Sequence, residues 1–194
     1  MTLGRQAPIL TACGAVLGCA AAVTVEAQAS GPSPKALYST LLKAPVASSD
    51  LPHGYRSPVV RSFPLTSVAK SHHAVGGVQI DANNGNAAVI YIIFPTRADA
   101  KADWTHANLT GTRTQAAPGS FPKPSIIVNT SASALSGGKK ITFGLTDIAC
   151  LYGNVIVQAA TSSLASTQHG DLAGAVALER FALQHLDLLR GPPA

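Results

Sequence analysis

Between residues 74 and 161 the chain repeats one pattern, short runs rich in Val, Ile and aromatic residues set apart by Asn and Gly. Such runs fit a pleated, half-buried surface, and Asn-Gly or Gly-Asn supplies the positive φ angles of a tight hairpin. AVGGVQI (74–80) reads as a strand, DANNGN (81–86) as a turn centred on Asn-Gly, and AAVIYIIF (87–94) as the returning strand. SIIVNT (125–130) predicts a further strand and SALSGG (133–138) a turn. Ile141, Phe143 and Leu145 then alternate with Thr142, Gly144 and Thr146, the period of a strand with one wet face. The run continues through IACLY (148–152) to Gly153-Asn154, a second hairpin signal, and VIVQAAT (155–161).

Helical signals fall between and after these runs. Thr96 can cap a helix over 97–107, with Asp99 three residues on and Trp104 within it. The last element is a helix over 171–190, opened by Asp171 and stopped by Gly191-Pro192-Pro193. At about 100° per residue, Ala175, Leu178, Phe181, Ala182, Leu186, Leu188 and Leu189 fall on one arc, with Arg180, Gln184 and Asp187 opposite. His185 is the polar residue inside that apolar arc, flanked by Phe181 and Leu178. These three form the candidate ligand-binding group, in which a small cavity between helix and sheet would meet one polar atom amid apolar walls. The alternative is a core histidine satisfied by a backbone carbonyl.

The expected architecture is α+β: an antiparallel sheet with helices packed on one face, in two successive strand-strand-helix blocks. A ferredoxin-like or related sandwich is the expected topology. The core is expected over 73–194. It is preceded by a Pro-rich segment over 30–72, in which 36–43 forms a short helix and Pro45, Pro52, Pro58 and Pro64 forbid regular helix. Residues 30–194 form one domain, in which 110–124 reads as a long connection and 161–170 as a polar loop.

The first 29 residues carry a different signal. Residues 7–25 hold no charge and follow Arg5, the pattern of a secretory signal, and VEAQAS (25–30) offers a small-x-small cleavage site between Ala29 and Ser30. The alternative is lipidation at Cys19 after Val16-Leu17-Gly18, with an uncleaved anchor as a third reading. The expected location is therefore secreted or periplasmic, or a membrane-anchored lipoprotein. Cleavage after Ala29 removes Arg5 and Glu26 together, so the net charge of +5 belongs to the exported domain. Its Lys and Arg are scattered, without the concentrated stripe and interleaved aromatics of a nucleic-acid binder, so no nucleic-acid partner is expected. Of the 3 Cys, only Cys150 lies beyond the leader, in an apolar run that marks it as a buried small hydrophobe.

The chain carries no catalytic or metal signature. His53, His72, His73, His106 and His169 show no ligand spacing for zinc, and the adjacent pair would point to opposite faces of a strand. No G-x-S-x-G elbow, phosphate loop or dinucleotide fingerprint occurs, and the acids Asp81, Asp99 and Asp171 sit where turns and helix starts want them. No metal, no cofactor and no catalytic residue is expected.

LYSTLLKAPVASSDLPHGY (37–55), with its Asp-Leu-Pro-x-Gly string, and ACLYGNVIVQAA (149–160) followed by ALERFALQHLDLL (177–189) are similar to exported actinobacterial proteins and lipoproteins. These resemble the extracellular sensor domain of mycobacterial Ser/Thr kinases. The resemblance implies a module that binds or senses and carries no catalytic residues. That family is stapled by disulfides, which Cys150 alone does not supply. The expected function is an exported, non-enzymatic domain that binds an unidentified small ligand or envelope component, touching a membrane only through its N-terminus. A basic envelope-interaction module and an extracytoplasmic hydrolase are the alternatives.

Overall fold

A computed structural model describes residues 31–106, 113–117, 119–136, 138–164, 166 and 168–190. The leader, with Cys19, Ala29 and Ser30, and the Gly191-Pro192-Pro193 stop lie outside the described residues.

The strands are β1 (Val59–Phe63), β2 (Gly76–Ala82), β3 (Ala87–Ile93), β4 (Arg113–Ala116), β5 (Ser125–Ser136), β6 (Lys139–Tyr152) and β7 (Val155–Ser163). They form one 7-stranded sheet in the order β1-β2-β3-β7-β6-β5-β4, every neighbouring pair antiparallel. The helices are α1 (Pro34–Lys43), α2 (Ser67–Ser71), α3 (Arg97–His106) and α4 (Leu172–Arg190). The chain is thus α+β with an antiparallel sheet, as its sequence pattern requires.

The finer arrangement differs from expectation. The two blocks merge, because β3 pairs along its whole length with β7, Ala87 opposite Thr161 through Ile93 opposite Val155. Two antiparallel meanders therefore meet at the centre, joined in sequence through α3. A ferredoxin-like sheet would need two split βαβ crossovers, each skipping one strand by way of a helix; here β1-β2-β3 and β4-β5-β6-β7 each run to the next-door neighbour. The helices also divide between faces. Leu37 and Leu41 of α1 and Leu178, Phe181, Ala182 and Leu186 of α4 bury Val78, Ile80, Val89, Tyr91, Ile93 and Val157 on one face. On the other face, α3 covers one end of the sheet, where Ala100 and Trp104 meet Phe94, Ile92, Leu151 and Ile156. The β3 run AAVIYIIF has apolar residues at both parities, so both of its faces need a cover.

Local chemistry sets the ends. Ser33 Oγ accepts from the Ala36 N–H at 3.3 Å and Pro34 opens α1, so the helix starts earlier than the apolar spacing alone suggested. Thr96 Oγ1 accepts from the Asp99 N–H at 3.1 Å and donates to its carboxylate at 2.6 Å, the expected start of α3. Asp171 Oδ1 accepts from the Gly174 N–H at 3.0 Å and caps α4. In the Pro-rich segment Pro58 immediately precedes β1, an edge strand, where its missing N–H costs no ladder bond. The stretch between Pro64 and residue 75 is free of proline and closes into α2, capped by Thr66 Oγ1 on Ala69 N–H at 3.1 Å, a helix not expected there.

Two further corrections concern β4 and β5. The expected turn at 133–138 is strand up to Ser136, since small residues still alternate and Ser133 Oγ meets Thr142 Oγ1 across the pair at 3.0 Å. Gly138, at φ 76°, lies in a turn ahead of β6. Within the expected connection 110–124, β4 pairs with β5 from Arg113 opposite Asn129 to Ala116 opposite Ile126. Its polar sequence carried no apolar alternation to reveal it.

On α4, Leu188 was expected in the buried arc but is 83% exposed, while Glu179, not singled out, is 0% exposed. The sheet covers an arc centred near Leu178 and Ala182. Leu188 lies just past one edge of it, and Glu179 lies about 20° beyond Leu186 at the other. Leu178→Ala should therefore cost about 2–5 kcal/mol, while Leu188→Ala should stay within about 0.5 kcal/mol of the parent. Urea unfolding of the two variants checks the pair; equal losses would contradict the placement of α4.

Candidate binding cleft and the buried acid

Leu178 and Phe181 face the sheet, 1% and 8% exposed, and belong to the main core together with α1 and β3. His185 stands half-buried beside them, its ring 5.6 Å from that of Phe181 in a T-shaped contact and 6.4 Å from Tyr91. The structure does bring the three together, but they pack against protein and line neither of the two adjoining recesses at the start of α4. His185 Nε2 is buried without a hydrogen-bond partner. Burial holds the imidazole below its ordinary pKa, against a smaller upward pull from Asp50.

The open recesses adjoin each other at the end of the sheet where α4 begins. One is about 430 Å³ and the other about 530 Å³, and both are walled by Gly54, Tyr55, Asn83 and Asn86. Asn83, at φ 51° in the β2–β3 turn, makes this wall. Its Oδ1 accepts from Arg56 N–H at 3.0 Å, its Nδ2 donates to Gly54 O at 3.2 Å, and its own N–H donates to Arg56 O at 2.9 Å. The loop 54–56 is thereby clipped to the turn. Asn86 O accepts from both the N–H and the hydroxyl of Ser162, at 3.0 and 3.1 Å, tying the same turn to the end of β7.

The opposite wall is the cap and first two turns of α4, with Asp171, Ala173, Gly174 and Ala177. Gly174 is required by contact: a Cβ there would run into the Tyr55 hydroxyl and the Asp171 carboxylate. Glycine in a helix interior costs about 1 kcal/mol relative to alanine, and here it lets the tyrosine approach the helix. Desolvation and then the charge of Asp171 push the Tyr55 phenol up, so at neutral pH it is an intact hydroxyl, able to donate and accept. The cleft presents that hydroxyl, the Asp171 carboxylate, side-chain amides and the Ser162 hydroxyl around an open, water-accessible space. Its chemistry is hydrogen bonding to a polar guest.

A second polar group is sealed inside the core. Cys150 donates from Sγ to Glu179 Oε1 at 2.9 Å, both side chains being 0% exposed, and Glu179 Oε2 has no partner. Burial pushes Glu179 up to about 8, with the thiol hydrogen bond pulling the other way. Burial, and then the nearby acid, raises the Cys150 thiol well out of the physiological range. Tyr91, fully buried, is likewise raised by burial and donates to Ala182 O at 3.2 Å. At neutral pH all three are protonated and uncharged. Cys150 is thus buried as expected, but as the donor to an acid that sequence reasoning missed; a Glu in the arc beside Leu186 was the available signal.

Of the histidines tested for metal, His72 caps α2 and pairs through Nδ1 with the buried Asp103 at 3.3 Å, and His53 lies on the cleft wall. Among the described residues, no group of three His, Cys, Asp or Glu converges on a metal position. Tyr55 and Asn83 were not singled out in the sequence, since one lies in the Pro-rich segment and the other looked like turn chemistry alone. No protein-family model matches the chain, and no curated protein matches it.

Glu179 makes stability depend on pH. The folded state keeps its proton up to about pH 8, whereas the unfolded chain releases it near 4.5. The stabilisation is full below the unfolded value and is lost as pH rises through the folded one. Urea midpoints of the parent should fall between about pH 5 and about pH 9, and those of Glu179→Gln should fall less, since a neutral amide has no proton to lose. Parallel curves would refute the assignment. His185→Phe should raise stability by about 1 kcal/mol by removing a buried nitrogen without a partner, and an unfolding titration at neutral pH reads it.

Proposed function

We propose that this chain is an exported, non-enzymatic binding domain that holds a small polar ligand in the cleft between the 54–56 loop, the β2–β3 turn and the start of α4. The cleft carries the reading: it is of ligand size, about 430 Å³ on the α4 side, and its rim is fixed by hydrogen bonds before any guest arrives. Its donors and acceptors suit hydroxyl- or amine-bearing molecules such as sugars, with Asp171 as acceptor and Tyr55 as the two-way group. The non-enzymatic part is supported by the burial of Cys150, a protonated thiol enclosed with Glu179 in the core. Export rests on the leader pattern and on the likeness to secreted sensor-type domains.

The test is a titration of neutral and amine-bearing mono- and disaccharides, followed by thermal shift and by chemical-shift changes at Gly54, Asn86 and Gly174. Binding is expected, and Tyr55→Phe should weaken it by about 1 kcal/mol, roughly fivefold, without changing the unfolding midpoint. Saccharides that bind equally well to Tyr55→Phe, or that perturb the α1 face instead, would overturn the cleft. A second reading, a basic module drawn to anionic envelope material, is favoured by the exposed Lys139 and Lys140.

A further inference from the structure

The β5–β6 hairpin outruns the rest of the sheet. β7 ends its pairing with β6 at Ser163 opposite Gly144, so 139–143 pair with β5 alone. On the other side β4 pairs with β5 only up to Asn129, so 130–136 pair with β6 alone. The result is a two-stranded arm, reaching about 16 Å past the sheet at ~3.3 Å per residue, with no further strand on either edge among the described residues. A bare two-stranded ribbon is marginal in water, and an open edge is usually blunted with charge.

The arm carries that charge, and it carries apolar surface as well. Lys139 and Lys140 are exposed, and the ion pairs found among the described residues, Arg61–Asp81 and His72–Asp103, involve neither. Strand alternation puts Lys139, Ile141 and Phe143 on one face. Ile141 is 36% exposed, and Leu164, one residue past the point where β7 stops beside Gly144, is 75% exposed. Aliphatic tips with lysines at their margin match an interfacial anchor: the apolar groups enter the headgroup boundary while the ammonium groups meet lipid phosphates. A soluble anionic polymer would use the lysines but leave Ile141 and Leu164 in water.

We propose that the tip of the β5–β6 arm, with Lys139, Lys140, Ile141 and Leu164, docks reversibly on an anionic lipid surface. This is a contact separate from the cleft and from any attachment through the N-terminus.

The test uses the full chain with sedimenting vesicles of phosphatidylcholine alone or mixed with phosphatidylglycerol, and reads the ratio of the two affinities. An apolar N-terminus partitions into both kinds of vesicle, so the anionic preference reports the chain's basic groups, and its loss in the lysine variant assigns it to the arm. The expected preference is tens of fold at low salt, shrinking as salt rises. Lys139→Gln with Lys140→Gln should reduce it about thirtyfold, at roughly one decade per 1.4 kcal/mol and about 1 kcal/mol for each lysine. Leu164→Ser should weaken binding to the anionic vesicles by about tenfold while keeping its salt dependence. Equal affinity for the two vesicles, or a preference unchanged in the lysine variant, would overturn the proposal. Binding that Leu164→Ser leaves intact and that soluble polyglutamate competes away would overturn it in favour of a polymer. Saccharide binding in the cleft is measured without vesicles, so the failure of either reading leaves the other standing.

Discussion

The pairing of β3 with β7 is the constraint on which the molecule depends. Seven residue pairs in register from Ala87 opposite Thr161 to Ile93 opposite Val155 join two meanders into one sheet. Tyr91, Val89, Val157 and Ala159 then lie side by side under α4, forming a floor that neither meander could supply alone. The same pairing brings the β2–β3 turn next to the end of β7, where Ser162 reaches Asn86. The start of α4 is tied to that end through the hydrogen bond from Thr161 Oγ1 to Asp171 O at 2.8 Å. The cleft is therefore a consequence of the central seam, assembled from elements that lie far apart in sequence.

The seam has a cost at its border. To lay Leu178, Ala182 and Leu186 on the sheet, α4 must also turn Glu179 inward, where a charge would be severely penalised. The protein neutralises the acid by keeping its proton and gives one oxygen a partner in Cys150. Replacing a buried polar pair with apolar residues often leaves a fold no less stable, so the pair is a feature the core tolerates rather than one that holds it together. His185 shows the same economy: its aromatic contacts with Phe181 and Tyr91 fill space, while Nε2 goes without a partner.

Most strands were legible because their residues carry the evidence locally. AAVIYIIF and VIVQAAT declare themselves by β-branched density, and the flanking Asn-Gly and Gly-Asn pairs fix where they turn. β4 and the outer half of β5 were hidden because RTQA and SASALS are polar or small and gain their strand character from the partner across the ladder. α2 was hidden by its shortness and by the prolines around it. In the cleft, Asp171 was visible as a helix cap. Its role as a wall, with Tyr55 lying over Gly174, could not be read, because nothing local marks two residues more than a hundred positions apart as neighbours.

The sequence by itself determined the α+β class, the hairpin turns, the start of α3, the cap of α4 and an apolar helix face, since each follows from periodicity or from hydrogen bonds within a few residues. Tertiary structure decided the order of the strands, the division of helices between two faces, the burial of Glu179 against Cys150 and the walls of the cleft. These depend on which apolar surfaces find each other across long separations. Backbone propensity is silent on that choice; it is made by the burial of both faces of β3, which required β7 at its side, α1 and α4 on one face and α3 on the other.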